Sequence, residues 1–463
     1  MLVARITKLG ARETVNGTLN EKAVTQRKVT LIDTFQSIIF HSKENEKQEI
    51  VLENCFLSIA LIITIPLGTV ADPIAYLSDN NNNEVIAYNP RTMEVKAKIP
   101  TEGIQPYPID QTGVNNVYVT TRGSKSLDVI DKRTLKRVHT IQLDHYPRSV
   151  ACNKLCTLCT VSGKKAPVTS VINPKNHKIL ATVGSPIETT PTDYGGSLAT
   201  GHPYWVANNK FLLLDRANRK IDLYDVRKVN GEYKVNFINS MEISSSAHQV
   251  LEVPNAKGKD KYIFFAFSEG APSEGIPPSI TRFKLKKQGL GKEKTVFLSK
   301  NDVNASDMGS HHGKFHPDGI HIYFGSKEGF TYVVDRKSMS IVKTIKTGLG
   351  NGHTTMVPGR NLAISTNHED SFMTVIDTKT HKMIKNVDVA TLSGRAGKVQ
   401  SHTSSVDPYN DRYFYTAASN EGRIIEIDLE KLKVSREIKM EDSNSYPIQG
   451  TLIWDNENMY IPM

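Results

Sequence analysis

The sequence predicts an all-β fold, a single β-propeller of eight blades closed by its C-terminal strand. Three observations carry this prediction. From about residue 76 onward, one pattern recurs: a short apolar strand, a polar turn, a Val/Ile strand ending in Asp or Asn, and a third strand. No part of this region carries helical periodicity. The segment Tyr446–Ile461 resembles the opening of a repeat without its later strands, whereas the copy at Tyr76 has the later strands without a leader. The strand around Leu452–Trp454 is therefore expected to pair with those near Tyr76–Asn89.

The copies follow in order. Ala75–Asn80 with Val85–Asn89 is the first, and Val117–Gly123 with Leu127–Asp131 the second. Thr157–Gly163 with Thr169–Asn173 and Phe211–Asp215 with Ile221–Asp225 come next. The last four are Tyr262–Gly270, Ile322–Gly329 with Tyr332–Asp335, Leu362–Asn367 with Thr374–Asp377, and Tyr413–Gly422 with Ile425–Asp428. Three strands per copy at a spacing of roughly 40–55 residues is the mark of propeller blades. The count is eight, or seven if two poorly marked copies merge. A lone blade leaves both faces exposed, and stacking blades around an axis buries them and removes open edges.

Composition narrows the function classes. In 463 residues, 38% hydrophobic and 23% charged side chains exclude a polytopic membrane protein, a collagen and a disordered chain. The net charge of +10 is scattered, with Lys164-Lys165 and Lys286-Lys287 its densest points. No aromatic-interleaved basic stripe accompanies it, so nucleic acid is not an expected partner, and a small anion is. Cys152, Cys156 and Cys159 lack the second CxxC or His pair of a structural zinc site and read as buried or incidental thiols. Motifs for hydrolases, nucleotide binding and zincins are absent.

Aligning the repeats on the turn before each apolar strand gives a column of histidines. His202, His312, His353 and His402 each lie five residues before Ala207, Pro317, Pro358 and Asp407, and His248 lies six before Pro254. The other three copies place Tyr107, Arg148 and Gln449 there. This position opens the innermost strand of a blade, so its side chains ring the mouth of the central channel. With 14 histidines in the chain, five in one column is far from chance. Five imidazoles packed together repel when protonated and leave lone pairs unmatched when neutral unless something binds them. A metal is the simplest resident. An all-nitrogen set suits copper or zinc, and more than four converging imidazoles call for more than one ion, which favours copper. His316, His321, His368 and His381 are expected to be ordinary structural residues, with His139 and His177 in the outer parts of blades. Arg148, in the column, offers a fixed positive charge for an anionic substrate.

Tyr118-Val-Thr-Thr and Val129-Ile-Asp-Lys-Arg-Thr-Leu resemble the YVTN family of propeller repeats over residues 76–463. His353-Thr-Thr-Met-Val-Pro-Gly-Arg-Asn-Leu-Ala and the doublet His311-His312 resemble segments of nitrous-oxide reductase and of the trinuclear-copper thiocyanate dehydrogenases. The resemblance implies an exported oxidoreductase with a copper cluster on the propeller axis, with His311 and Arg148 beside the ligands in catalysis. It implies oxidation of a small anion such as thiocyanate, with electrons passed to a separate cytochrome or cupredoxin. A nitrous-oxide-reductase-like reduction, a haem-d1-type propeller and a non-catalytic YVTN binding module are the alternatives.

Residues 55–70 form an uncharged apolar run followed by Ala71-Asp72-Pro73. Its length, with Pro66 and Gly68 near the end and small residues at Thr69 and Ala71, fits a secretory h-region and cleavage site rather than a membrane span, which needs about 20 residues. The reading is an upstream extension over 1–54, a signal peptide over 55–71 and a propeller over 72–463, periplasmic or extracellular and without a membrane span. N-terminal sequencing of exported material should therefore begin near Asp72, and a mature protein retaining residues 1–50 overturns this assignment.

Overall fold

The computed structural model describes residues 73–463 apart from 113–114, 190–197, 299–308, 392–401, 403, 408–409, 455–458 and 462–463. The apolar run 55–70, the cleavage point before Asp72 and the extension 1–54 lie outside the described residues. The rest is all-β, with four short 3-10 turns and no α-helix among the described residues. No described helix is long and apolar enough to cross a membrane.

Eight antiparallel sheets correspond one to one with the eight repeats. Seven consist of four consecutive strands, running outward from the axis in chain order. The first sheet joins the N-terminal strands Ile74–Asp79, Glu84–Asn89 and Glu94–Pro100 to the C-terminal strand Pro447–Trp454, with the short Met459–Ile461 beyond it. Ala75 faces Leu452, and Ile74 faces Ile453, which is the expected closure.

Middle strands are buried on both faces. Asn116–Thr121 (NVYVTT) is buried at five of its six positions, and Ser126–Asp131 (SLDVID) likewise. Such strands read as continuous β-branched and aromatic runs rather than alternating ones, because each is sandwiched between neighbouring blades. The outermost strands alternate less and carry charge, as in Lys136–Gln142, where four of seven side chains are exposed at the start. That keeps the rim from pairing with other chains. The apolar core is accordingly not central. It forms eight clusters, each shared by two successive blades, such as Leu212, Leu214 and Leu223 against Phe264, Ala266 and Phe283, or Ala75, Leu77 and Tyr88 against Tyr415 and Ile424 across the closure.

The Asp or Asn ending the third strand has a defined task. Asn89, Asp131, Asn173, Asp335, Asp377 and Asp428 each accept the amide of the residue two further on, at 2.7–3.0 Å. The chain then turns through a left-handed residue at Met93, Leu135, His177, Met339, His381 or Leu432, with φ between 48° and 59°. Two of these turn residues reach the preceding blade: His177 Nδ1 meets the Tyr118 hydroxyl at 2.9 Å, and His381 Nδ1 meets that of Tyr323 at 2.6 Å.

One expectation is corrected. Cys152 and Cys159 are not free thiols but a disulfide, because they are register partners on the adjoining strands of one hairpin. Cys156 is the free cysteine of the described residues.

The turn carboxylates make stability depend on pH. The Ser338 amide first, with burial opposing it, holds Asp335 below the ordinary carboxyl range. At Asp131 and Asp377 burial pushes the other way, but the turn amides and hydroxyls outweigh it and the result is again a lowered value. A depressed folded-state pKa contributes stability that is complete above the ordinary value of about 4 and is lost as pH falls through the folded value. Replacing Asp131, Asp335 and Asp377 together by Asn keeps the accepting oxygen. Thermal melts between pH 3 and 7 should show a lower melting temperature than the unmodified protein near neutrality and a flatter decline below about pH 4, where the two converge.

Candidate metal centre

The column becomes a cluster in three dimensions. Tyr107 lies in Pro106–Thr112, Arg148 in Pro147–Cys152, His248 in Ala247–Glu252, His312 in Gly309–Phe315 and His353 in Asn351–Val357, all innermost strands. His202 and His402 stand just ahead of Tyr204–Ala207 and Ser404–Val406. The side chains of His311 and Gln449 lie outside the described residues.

Two groups of three imidazoles form. His202, His248 and His312 offer nitrogens within 4.8 Å of one another, and so do His353, His368 and His402. Ring centroids are 5.0 Å apart for His202 and His248, 5.0 Å for His202 and His312, and 5.1 Å for His248 and His312. In the second group they are 4.6 Å apart for His353 and His402 and 4.9 Å for His368 and His402. The groups join where His312 stacks on His353 at 4.3 Å. Three nitrogens sharing a tetrahedral ion with bonds of about 2.0 Å lie roughly 3.3 Å apart, so nitrogens within 4.8 Å of one another must close by up to about 1.5 Å to share one. Each group therefore fits a metal by donor type and spacing. His368, expected to be structural, belongs to the second group.

Beside the imidazoles lies a cavity of about 60 Å³ lined by Tyr107, Arg122, Arg148, Leu198, His202, His248, His312 and His402. At roughly 15 Å³ for each water-sized occupant, it has room for a few atoms. One wall is imidazole and the other is guanidinium.

The cationic wall is Arg148 of the first column together with Arg122 of a second column, the residue immediately after each blade's second strand. In chain order it holds Asn80, Arg122, Lys164, Arg216, Glu269, Lys327, His368 and Ser419. Two of these support His248. Its Nδ1 lies 2.6 Å from Glu269 Oε1, and Glu269 Oε2 is 2.5 Å from Arg216 Nη2; Arg216 and Glu269 are fully buried. With Nδ1–H donating to the carboxylate, the Nε2 lone pair faces the cavity. There it meets Arg148 Nη2 at 2.8 Å, while Arg148 Nη1 donates to the Thr200 carbonyl at 2.6 Å. Arg122 packs over the Tyr107 ring at 3.7 Å, and the Tyr107 hydroxyl reaches His402 Nε2 at 2.7 Å.

Among the described residues, charge around the cavity does not balance. Neither Arg122 nor Arg148 forms an ion pair with a described carboxylate. Burial pulls Arg122 down to about 10, so it stays a cation at neutral pH. Burial first, then Arg216 and Arg122, holds Arg148 well below the ordinary guanidinium value. Burial likewise lowers Lys164, with Arg122 and Lys165 adding to it, and raises the Tyr107 hydroxyl against the opposing pull of the two arginines. An anion in the cavity relieves this excess.

No family model matches the chain, and no curated protein matches it in sequence. Its fold is similar to that of solved structures. The dihydro-haem d1 dehydrogenase NirN, in complex with DHE, superposes with a TM-score of 0.61 at 13% identity, covering 82% of this chain and 74% of that one. AztD of Citrobacter koseri gives 0.56 at 12% identity, covering 82% and 97%. A 6-phosphogluconolactonase-like protein of Bacteroides fragilis gives 0.51 at 15% identity, covering 70% and 97%. At these identities the likeness establishes the β-propeller fold.

The buried triad has a measurable cost when broken. Glu269→Ala leaves Arg216 buried without that carboxylate and should destabilise the protein by about 3–5 kcal/mol in urea unfolding. Adding Arg216→Met should recover much of the loss.

Proposed function

We propose that the protein is an exported copper oxidoreductase that acts on a small anion of the thiocyanate class. The observation that carries this reading is the cavity itself, a few atoms wide, with imidazoles of both histidine groups on one side and the guanidinium groups of Arg122 and Arg148 on the other. His202, His248 and His312 would hold one ion and His353, His368 and His402 another. Copper in such nitrogen sets supplies single-electron chemistry and Lewis acidity.

The protein groups have separate tasks. Glu269 holds the proton on His248 Nδ1 and leaves the lone pair on Nε2, which accepts from Arg148 Nη2 at 2.8 Å and would have to exchange that bond for an ion. Arg122 and Arg148 neutralise and orient the anion, and their charge draws it in from solvent. Tyr107, hydrogen-bonded to His402, can hand a proton to or from the cavity. Electrons leave to a separate carrier, a cytochrome or a cupredoxin. The Cys152–Cys159 disulfide suits an oxidising compartment and so supports export.

The likeness to NirN raises a haem-d1-type reading. It has less support, because six imidazoles exceed the axial needs of one haem iron and the cavity is far smaller than a tetrapyrrole.

Protein purified after copper-replete export should carry more than one copper and a copper paramagnetic resonance signal. His202→Ala, His248→Ala, His312→Ala, His353→Ala, His368→Ala and His402→Ala should each lower copper and activity together. His139→Ala and His177→Ala should change neither. Arg148→Ala should retain copper and weaken thiocyanate binding by about 1.5–3 kcal/mol, the usual worth of a charge-assisted hydrogen bond. One zinc with no copper, or full metal in the histidine variants, replaces this reading with that of a binding module.

A further inference from the structure

A third group of ligating side chains lies away from the axis. His316, Asp318 and His321 flank the turn that joins the first two strands of the sixth blade, Gly309–Phe315 and His321–Ser326. His316 is four residues beyond His312 on the same strand, roughly 13 Å at the rise of an extended chain, so this is a separate locus. The three side chains are 19%, 29% and 26% exposed, which leaves them open to solvent ions.

The two carboxylate oxygens of Asp318 are divided between tasks. Oδ1 accepts the amides of Ile320 at 2.7 Å and His321 at 3.0 Å and so builds the turn. Oδ2 meets His316 Nδ1 at 2.9 Å and His321 Nδ1 at 2.6 Å. A turn of this kind needs only the first oxygen. His316 Nδ1 also accepts the Asp318 amide at 3.2 Å, while the approach of His321 Nδ1 to the second oxygen is not required by the turn. A tetrahedral zinc ion with bonds of about 2.0 Å sets its ligand atoms roughly 3.3 Å apart, a few tenths of an ångström wider than the separations found here. The ion would replace the proton between His321 Nδ1 and Oδ2 and take the His316 Nδ1 lone pair from the Asp318 amide, without disturbing the amides on Oδ1. A third imidazole stands alongside, for His381 of the next blade lies 4.9 Å from His321 between ring centroids, its Nδ1 held by Tyr323.

The third blade shows a cross-link at the corresponding place. There the disulfide partners Cys152 and Cys159 bridge the same first-to-second-strand hairpin that His316 and His321 flank in the sixth.

We propose that His316, Asp318 and His321 form a second metal site that takes one zinc-class divalent cation and pins the inner hairpin of the sixth blade. The site is independent of the axial histidines and of their copper reading.

The full chain, stripped with a chelator and dialysed against zinc, tests this by metal counting. Asp318→Asn retains the Oδ1 acceptor of the turn, and His316→Gln with His321→Gln removes both nitrogens while keeping polar side chains. Each variant should bind one zinc fewer than the unmodified protein, whereas His312→Ala should keep this zinc. A readout free of variants is the pair of His316 and His321 ring resonances in proton spectra, which should shift on the first additions of zinc. Equal zinc in the unmodified protein and both site variants overturns the proposal. So do His316 and His321 resonances that stay in place at saturating zinc.

Discussion

Every blade of this protein has two apolar faces and can bury them only against other blades. The eight interblade clusters are the result, and the cluster formed by Ala75, Leu77 and Tyr88 with Tyr415 and Ile424 closes the ring. Closure fixes where everything else goes. Once eight similar sheets radiate from one axis, the first residue of each innermost strand is carried to the same mouth, whatever its side chain. Packing thus specifies a meeting point and leaves the chemistry there to individual residues.

At that point the molecule concentrates positive charge in a place water barely enters. Arg148, buried, and Arg122, half-buried, line one cavity wall, and the buried Arg216 and Glu269 stand behind them. A cation entering the adjacent histidine groups works against this field unless negative charge comes with it. On the proposed reading, metal and anion would support each other's binding, and the arginines would give the site a preference for anions that imidazoles alone would lack.

Much of this was legible in the sequence, for a definable reason. A propeller repeats one register, so residues separated by 40 or 50 positions fall into columns, and the column of Tyr107, Arg148, His202, His248, His312, His353 and His402 could be read directly. The Asp and Asn strand ends were visible in the same way, although their role as turn acceptors required the hydrogen bonds. The second column was missed. Arg122, Arg216, Glu269 and His368 follow the second strand of their blades, and their chemistries differ, so no residue type repeats to draw attention to them. Aligning on strand ends such as Thr121, Asp215, Ser268 and Asn367 would have collected them. The disulfide was missed because Cys152 and Cys159 were weighed as metal ligands by spacing, whereas cross-strand register decides their pairing.

The strand that closes the first blade, Pro447–Trp454, is also the last of the long strands to leave the ribosome. During synthesis, seven blades' worth of chain waits with an unsealed gap, and Ile74–Asp79 has no inner neighbour. The histidine-bearing strands are all extruded before that seal arrives. The arrangement makes assembly directional: the channel mouth takes its final shape only after the C-terminal strand has paired with Ile74–Asp79.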